Sequence, residues 1–515
     1  MRASFLCLGF VCCSSILRAQ QPPEIEWQRC FGTANGEEYA QAVPLTDGGF
    51  LLVGSTSGGP TGWNGLVIRT DETGNTLWSR TYGGSMEDKL RGAVAMPGGG
   101  FMLLGFTTSN NGDVSGNHGQ GDVWLVRINS EGSITWQKCI GGPGYETSNQ
   151  LILSNGGDLL ISCTARGAGD DVPNAYGNAD AWLIRADTLG TILWSSVFGG
   201  SSDDLGGTIT EVEDHIIYCN ATRSADGQVE ESFGNWDIWV LRINGSGELQ
   251  NTWSFGGSES DGAFIVPSQN GGFLLIGSTE SNDGMITAPP IGGTSDIWLC
   301  WLDSNLSIVQ QMRLGGLGSD SPTEVLRMPD DGWLIGATVS SDGGDVTGYN
   351  GGFYDIWAVR LDAQGVIQWQ RTFGGSSDDR GGRLTRSADG GVLMLGISNS
   401  SDGDVTSLFP GYDIWAVKFM LDPTSIAEEN ATASIRLYPN PTRSNAQVGF
   451  VQQHVGSATL VLRNALGSEL HREQTGILPV GPCAVPIPSD KVAPGVYLIE
   501  ILSSDIRLTA RLVKE

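Results

Sequence analysis

Acidic side chains recur at a fixed spacing along this 515-residue chain, and their type suits them to bind cations. An acid stands five positions after a glycine in seven consecutive units, at Glu37, Asp88, Glu146, Asp204, Asp261, Asp320 and Asp379. A second set, including Asp113, Asp345 and Asp404, lies in the longest link of each unit. Calcium takes roughly six to eight oxygen ligands. The candidate calcium ligands are therefore Asp88, Asp113, Asp204, Asp261, Asp320, Asp345, Asp379 and Asp404.

The same carboxylates have a simpler structural interpretation. Asp and Asn side chains commonly accept hydrogen bonds from nearby backbone amides and so shape turns. A structural role repeats in every unit, whereas a functional role usually does not. The strict recurrence therefore favours turn-shaping over calcium binding, and no cofactor other than calcium is predicted.

Aromatic residues in the longest and most variable link of each unit are the candidate ligand contacts. They are Trp63, Tyr176, Trp236, Tyr349, Tyr354 and Tyr412. Exposed aromatic side chains on variable loops suit contacts with sugars or proteins. The alternative is that these rings pack into their own loops as small local cores. The sequence thus predicts an unidentified glycan or protein ligand and leaves both interpretations of the rings open.

Residues for catalysis are scarce. The repeats hold only His118 and His215, show no Ser/His/Asp arrangement, and contain no His-x-x-x-His or Cys-x-x-Cys motif. No catalytic residue is predicted, and a binding or scaffold module is favoured over an enzyme. The rival class is a polysaccharide-active enzyme, which would need two carboxylates about 5 to 9.5 Å apart in a pocket.

Internal repeats supply the elements that would position these residues. An aromatic or apolar residue precedes each anchor glycine, at Phe31, Tyr82, Ile140, Phe198, Phe255, Leu314 and Phe373. An Asp-x-Trp motif follows at Asp122, Asp180, Asp237, Asp296, Asp355 and Asp413. Each unit has four apolar runs divided by glycine turns, which predicts a four-stranded antiparallel sheet. In the inner runs, the residues that point to either face of the sheet are apolar, so each sheet needs a neighbour on both faces. This all-β pattern predicts a seven-bladed β-propeller.

The two ends of the repeat region are complementary. The seventh unit stops after its third strand at 413–420, and Glu24–Phe31 has the pattern of a fourth strand. We expect this N-terminal strand to complete the last sheet, which gives one closed domain over residues 22–422. In such sheets the links that carry the acids and the aromatics emerge on the same face. That loop-rich face is the predicted ligand side.

The repeat resembles the bacterial beta-propeller repeat family of secreted and surface proteins. The resemblance is carried by Trp78–Gly84, Gly99–Gly105 and Gly121–Arg127, whose glycine, aspartate and tryptophan spacing recurs along the chain. It implies a propeller fold but no single activity. The first unit departs from the pattern, because Asn64 stands where the other units have aspartate.

Charge and the N-terminal segment define the compartment. A formal net charge of -28 would repel phosphate backbones and anionic lipid, which excludes nucleic acid as a partner. Residues 1–19 have a basic start, an apolar run and the cleavage motif Leu17-Arg18-Ala19 of a signal peptide. No later apolar run is long enough for a membrane helix. The chain is predicted to pass through the periplasm and to be secreted or held on the outer cell surface.

A second domain is predicted at the C-terminal end. Residues 423–433 are polar and break the repeat, as expected of a linker, and alternating runs over 434–515 predict a small β-sandwich. Tyr438-Pro439-Asn440-Pro441 and the basic, apolar Arg511–Lys514 make this segment resemble the type A sorting domain of the type IX secretion system of Bacteroidetes. The resemblance implies recognition by the outer-membrane translocon. The alternative is an ordinary immunoglobulin-like module.

Overall fold

A computed structural model gives the fold of the chain. It describes residues 22–33, 35–58, 62–269, 271–406, 411–421, 436–438, 446–452, 456–464, 469–479, 481–488, 492–493, 495–502 and 507–514. The predicted signal peptide (1–19) and the predicted linker (423–433) lie outside these residues. The chain divides into two compact units, Met1–Asp422 and Pro423–Glu515.

The first unit consists of seven four-stranded antiparallel sheets, named blades 1 to 7 in chain order. The N-terminal strand and blades 1 to 3 comprise β1 (Ile25–Phe31), β2 (Glu37–Pro44), β3 (Phe50–Thr56), β4 (Asn64–Thr70), β5 (Thr76–Tyr82), β6 (Asp88–Ala95), β7 (Phe101–Thr107), β8 (Asp122–Ile128), β9 (Ile134–Ile140), β10 (Thr147–Leu153), β11 (Leu159–Ala165), β12 (Asp180–Ala186) and β13 (Ile192–Phe198). Each blade is a meander in which consecutive strands pair.

The remaining blades repeat this order. Blades 4 to 7 comprise β14 (Asp204–Val212), β15 (His215–Thr222), β16 (Asp237–Asn244), β17 (Leu249–Phe255), β18 (Asp261–Pro267), β19 (Phe273–Thr279), β20 (Asp296–Leu302), β21 (Ile308–Leu314), β22 (Ser321–Arg327), β23 (Trp333–Val339), β24 (Asp355–Leu361), β25 (Ile367–Phe373), β26 (Asp379–Arg386), β27 (Val392–Ser398) and β28 (Asp413–Phe419). Blade 7 takes β1 as its fourth strand. The predicted fold class is confirmed.

The second and third strands are buried on both faces because each blade is sandwiched between two others. All seven residues of β7 are buried, and in β8 only Arg127 is partly exposed. Trp124 and Trp182, from the Asp-x-Trp motif, are fully buried. Fully burying one large apolar side chain stabilises a fold by about 1.5–3 kcal/mol. This two-sided burial is the reason that the inner strands are apolar at every position.

The N-terminal strand closes the ring. β1 pairs antiparallel with β28, and the indole N–H of Trp415 donates a hydrogen bond to the Gln28 side chain (2.8 Å). Trp27 reaches the next blade, where its indole N–H donates to the Glu72 carbonyl (3.1 Å) and its ring covers Gly74. Gly74 has φ +80°, and a Cβ there would meet the Trp27 ring at 2.7 Å, so both the turn and the contact require glycine.

The first strands surround a central channel. The first strands of blades 7, 1, 2, 3, 4 and 5 contact one another in sequence around the ring, and β22 of blade 6 contacts β26 of blade 7. The fourth strands lie at the outside. Side chains near the start of a first strand therefore lie close to the channel mouth on the loop-rich face.

The second unit is a small β-sandwich. Its strands are β29 (Arg436–Tyr438), β30 (Ala446–Gln452), β31 (Gly456–Asn464), β32 (Glu469–Leu478), β33 (Gly481–Ile487), β34 (Gly495–Leu502) and β35 (Arg507–Lys514). One sheet has the order β29-β30-β33 and the other β32-β31-β34-β35. Phe450 from the first sheet packs in one core with Leu460 and Ile499 from the second. Over the described part of the chain, no helix is long and apolar enough to cross a bilayer.

Candidate functional site

The first-strand acids are the carboxylates that begin or directly precede the first strand of each blade: Glu37, Asp88, Glu146, Asp204, Asp261, Asp320 and Asp379. All are buried. Asp88 accepts hydrogen bonds from the backbone N–H of Gly84 (2.6 Å) and from the Ser109 hydroxyl (2.8 Å). The N–H of the equivalent glycine donates at 2.7–2.8 Å to Asp204, Asp261, Asp320 and Asp379. These contacts fix the link that enters each blade.

The other three predicted calcium ligands lie in the links between second and third strands. Asp113 accepts a hydrogen bond from the backbone N–H of Gly83 (3.1 Å), and Asp345 makes the equivalent contact at 3.3 Å. Asp404 forms an ion pair with Arg371 at 3.0 Å. Each carboxylate thus ties its own loop to the fourth strand of the preceding blade, and both acidic sets lie on the same face.

These contacts are the ones that the turn-shaping interpretation requires. Every predicted calcium ligand accepts a hydrogen bond or ion pair from a protein donor. Within the described residues, no group of three or more His, Cys, Asp or Glu side chains is placed to hold a metal ion. Calcium binding stays a prediction.

The aspartates of the Asp-x-Trp motif face first-strand acids across the seams between blades. In the seam between blades 4 and 5, Asp237 Oδ1 and Asp261 Oδ2 lie 2.5 and 2.9 Å from the position that a Cβ on Gly256 would occupy. Only glycine leaves room for both carboxyl groups. The Oδ1 atoms of Asp237 and Asp261 are buried and have no hydrogen-bond partner among the described residues. Each such seam brings two carboxyl groups close together away from water.

Burial raises the pKa of these seam carboxyl groups because it removes the water that would stabilise their charge. The pKa of Glu146 rises to about 7, that of Asp355 to about 7 and that of Asp320 to about 6. The nearby Asp379 carboxylate raises the pKa of Asp355 further. Part of the formal charge of -28 is therefore neutralised by protons near neutral pH.

Three predicted ligand aromatics lie on one side of the ring, directly before the third strands of blades 6, 7 and 1. They are Tyr354, Tyr412 and Trp63. The Lys89 ammonium lies 4.3 Å from the centroid of a Trp63 ring, and the Arg380 guanidinium lies 4.9 Å from that of Tyr354. Both rings are half-buried. Cation–π contacts of this kind stabilise by about 0.5–1 kcal/mol at exposed sites, so they hold the rings in place.

Asp378 connects blades 6 and 7 at this rim. It forms an ion pair with Arg380 (2.6 Å) and accepts a hydrogen bond from the Tyr412 hydroxyl (2.7 Å). The bond to Asp378 and burial raise the pKa of Tyr412. Tyr354, Arg380, Asp378 and Tyr412 thus form one connected group.

Two of the other three predicted aromatics lie in other blades, whereas Tyr349 lies in the same blade 6 loop as Tyr354. Tyr176 is exposed in blade 3, and Trp236 lies in blade 4 beneath the Arg223 guanidinium at 5.1 Å. Tyr349 folds back on its own loop and donates a hydrogen bond to the Gly352 carbonyl (3.0 Å). The six predicted aromatics therefore do not form one site.

A cavity of about 690 Å³ opens in the central channel beside the rim. Its lining comes mainly from β26, β2, β6 and β10, the first strands of blades 7, 1, 2 and 3. Lys89, Arg91 and Arg383 provide its positive charge. Lys89 pairs with Glu38 at 3.0 Å, and Arg383 pairs with Glu324 at 3.4 Å. The cavity thus combines charged and polar groups on one side of the channel.

These cavity residues are not among the site residues that the sequence predicts. The position directly after each first-strand acid is occupied by Glu38, Lys89, Thr147, Leu205, Gly262, Ser321 and Arg380. Three of these side chains, those of Glu38, Lys89 and Thr147, line the cavity. Variation at one position of a regular repeat is the signal that could have found them.

Comparisons with known proteins give distant similarities. No family model matches the chain. The regulatory protein FlaEY of Caulobacter vibrioides (strain ATCC 19089 / CIP 103742 / CB 15) is 22% identical over 231 residues, which cover 41% of this chain and 24% of that protein. The chain thus spans about a quarter of the length of this relative.

The solved structures that resemble this chain are also only distantly similar to it. One is PorZ, an essential bacterial surface component of the type-IX secretion system of Porphyromonas gingivalis, with 12% identity, a TM-score of 0.40, and coverage of 94% of this chain and 60% of that one. Another is the polysaccharide lyase Uly1, with 12% identity, a TM-score of 0.46, and coverage of 76% and 92%. The chain spans less than two thirds of PorZ. These similarities assign no activity to this chain.

Proposed function

We propose that this protein is an exported β-propeller that binds a ligand at the channel mouth of its loop-rich face. One observation carries the proposal. Aromatic rings of blades 6, 7 and 1 lie beside a cavity with cations that is lined by blades 7, 1, 2 and 3, although the strand pattern itself repeats from blade to blade. A departure from the repeat is not needed for folding, since the other blades form without it.

The rim is suited to bind without large rearrangement. Trp63 is held by Lys89, Tyr354 by Arg380, and Tyr412 by Asp378. Half-buried rings with fixed orientation lose little conformational freedom when a ligand packs on them, which favours affinity. The group can therefore act as a preformed platform for a sugar ring or a protein side chain.

The export route is the second part of the proposal. The signal peptide at 1–19 would direct the chain to the periplasm. We infer that 434–515 is a type IX sorting domain that the translocon recognises, and its motifs and separate hydrophobic core support this inference. The mature propeller would then be secreted or displayed on the outer cell surface as a binding or scaffold module.

Ligand binding is tested with the full-length mature chain on an array of glycans and surface proteins. The expected result is a hit that is weakened about tenfold or more by Trp63→Ala, because the substitution removes the platform ring. Leu189→Ala, at an exposed residue of the opposite face, is the matched control and leaves binding unchanged. Release of reducing sugar from a bound polysaccharide would replace the binding role by a catalytic one.

Sorting is tested by fusing 423–515 to an exported reporter in a host with a working type IX system. The reporter should reach the medium or the cell surface. Retention of the fusion in the periplasm, while an authentic cargo leaves the same cells, would contradict the sorting assignment and leave the binding proposal intact.

A further inference from the structure

We propose that the channel cavity binds a saccharide that carries a carboxylate or sulfate group. This inference rests on the proposed binding function and names the chemistry of the ligand. Its basis is the positive charge of Lys89, Arg91 and Arg383 around one cavity in an otherwise acidic chain.

These cations lie close together although the chain as a whole is acidic. The chain has 29 Lys and Arg residues against 57 Asp and Glu residues. Three of these cations nevertheless line one cavity, and Arg380 lies at the adjacent rim. Exposed charges farther than about 8 Å are largely screened at physiological salt. A ligand in the cavity therefore experiences mainly the local charges. Glu38 and Glu324 pair with Lys89 and Arg383, which leaves the Arg91 guanidinium as the cation of this cavity without an ion-pair partner among the described residues.

Arg91 is the group best placed to bind an anion. It is exposed, and its guanidinium lies 5.8 Å from the centroid of the Phe106 ring. Among the described residues it has no hydrogen-bond acceptor and no ion-pair partner, in contrast to Lys89 and Arg383. A guanidinium presents parallel N–H donors that match the oxygen atoms of a carboxylate or sulfate.

Ser148 provides an independent observation. Its side chain lines the cavity and is only 4% exposed, yet its hydroxyl has no hydrogen-bond partner within the described residues. A buried hydroxyl without a partner costs free energy unless something in the cavity satisfies it. The exposed amide of Asn149 lies next to it along the same strand. These two neutral groups suit sugar hydroxyls, whereas the cations suit the anionic group.

The cavity also has the size and shape for such a ligand. Its volume of about 690 Å³ falls within the range of about 300–1,000 Å³ that is typical of small-molecule sites. Blade 5, across the ring, has Gly262 at the position equivalent to Lys89, and a Cβ there would meet nothing within 4 Å. The opposite wall therefore leaves open space, and the binding groups lie on one side.

The test measures binding to the full-length mature chain by calorimetry. The probes are a trisaccharide of galacturonic acid, a sulfated disaccharide and the neutral trisaccharide maltotriose. We expect at least one charged probe to bind about tenfold or more tightly than maltotriose, with affinity that falls as salt rises from about 0.05 to 0.5 M. Arg91→Gln and the double variant Lys89→Gln/Arg383→Gln should each weaken the charged probe about tenfold.

Arg80→Gln is the matched control, because Arg80 is an exposed arginine on the outer strand β5. It should leave affinity unchanged, and all variants should keep the wild-type melting temperature within a few degrees. Equal binding of charged and neutral probes, or full affinity in Arg91→Gln, would overturn the anion assignment. If the anion assignment failed but Trp63→Ala still abolished binding of a probe, the proposed binding function would stand without the anion assignment. Absence of binding by every probe in the wild type would also overturn the anionic-saccharide assignment.

Discussion

The paired carboxyl groups at the seams are the residues that set the pH response of this fold. Beside Gly256, Asp237 Oδ1, which has no hydrogen-bond partner among the described residues, lies close to Asp261 Oδ2. Two carboxyl groups this close repel each other when both are ionised, and protonation of one of them removes that repulsion. Asn64, which replaces the aspartate in the first unit, fits the same place: its side-chain oxygen lies 2.5 Å from the Cβ position of Gly83. An amide at this position cannot ionise.

Stability should therefore fall as pH rises above about 5. The folded-state pKa values of Glu146, Asp355 and Asp320, at about 7, 7 and 6, lie above those of the unfolded chain. Their contribution is complete below the unfolded pKa of about 4 and is lost as pH rises through 6 to 7. We predict a melting temperature lower by roughly 3 °C or more at pH 8 than at pH 5.

Asp355→Asn provides the control for this pH response. The amide cannot ionise, so the variant should melt above the wild type at pH 8 and lose part of the pH dependence. A melting temperature that is flat or rises between pH 5 and pH 8 would contradict the seam account.

At the scale of the strand and turn, neighbouring blades are joined by a repeated tryptophan contact. The indole N–H of Trp78 donates a hydrogen bond to the Ser130 carbonyl (3.2 Å), and the ring covers Gly132, which has φ +80°. Trp194 makes the same contact with the Gly245 carbonyl at 3.0 Å. In these blades the fourth strand thereby holds the turn between the third and fourth strands of the next blade.

Gly132→Ala tests this contact. The methyl group would be strained at positive φ and would lie 3.0 Å from atoms of the Trp78 ring. Gly157→Ala is the matched control, since Gly157 has φ +86° but nothing within 4 Å of the new Cβ. We predict that Gly132→Ala destabilises the fold by at least about 1 kcal/mol more than Gly157→Ala in urea unfolding. Equal losses of unfolding free energy in the two variants would show that the tryptophan contact does not stabilise the fold.

The strands could be predicted because each unit repeats the same local pattern. Glycine turns, two-sided apolar runs and the Asp-x-Trp motif all report on neighbours within about 60 residues, a range the sequence shows directly. The acids were correctly assigned to one face by the same reasoning. The cavity could not be predicted in this way, because Arg383 joins Glu38 and Lys89 only after the ring has closed.

At the scale of the whole molecule, ring closure is what creates the candidate site. β1 pairs with β28, and blade 7 is thereby placed beside blade 1. This brings residues from the two ends of the propeller, Tyr39 and Arg383, to one cavity wall. The sevenfold repeat forms the scaffold. The side chains that differ from the repeat on adjacent blades form the candidate site. The C-terminal unit has its own core and is not needed for that wall.

Hydrogen–deuterium exchange locates the bound ligand on the ring. The mature chain is compared with and without the galacturonic acid trisaccharide at a concentration that saturates binding. We expect slower exchange in β26, β2 and β6, the first strands of blades 7, 1 and 2, and unchanged exchange in β14 and β18 of blades 4 and 5. Protection confined to blades 4 and 5, or to the turns of the opposite face, would contradict it.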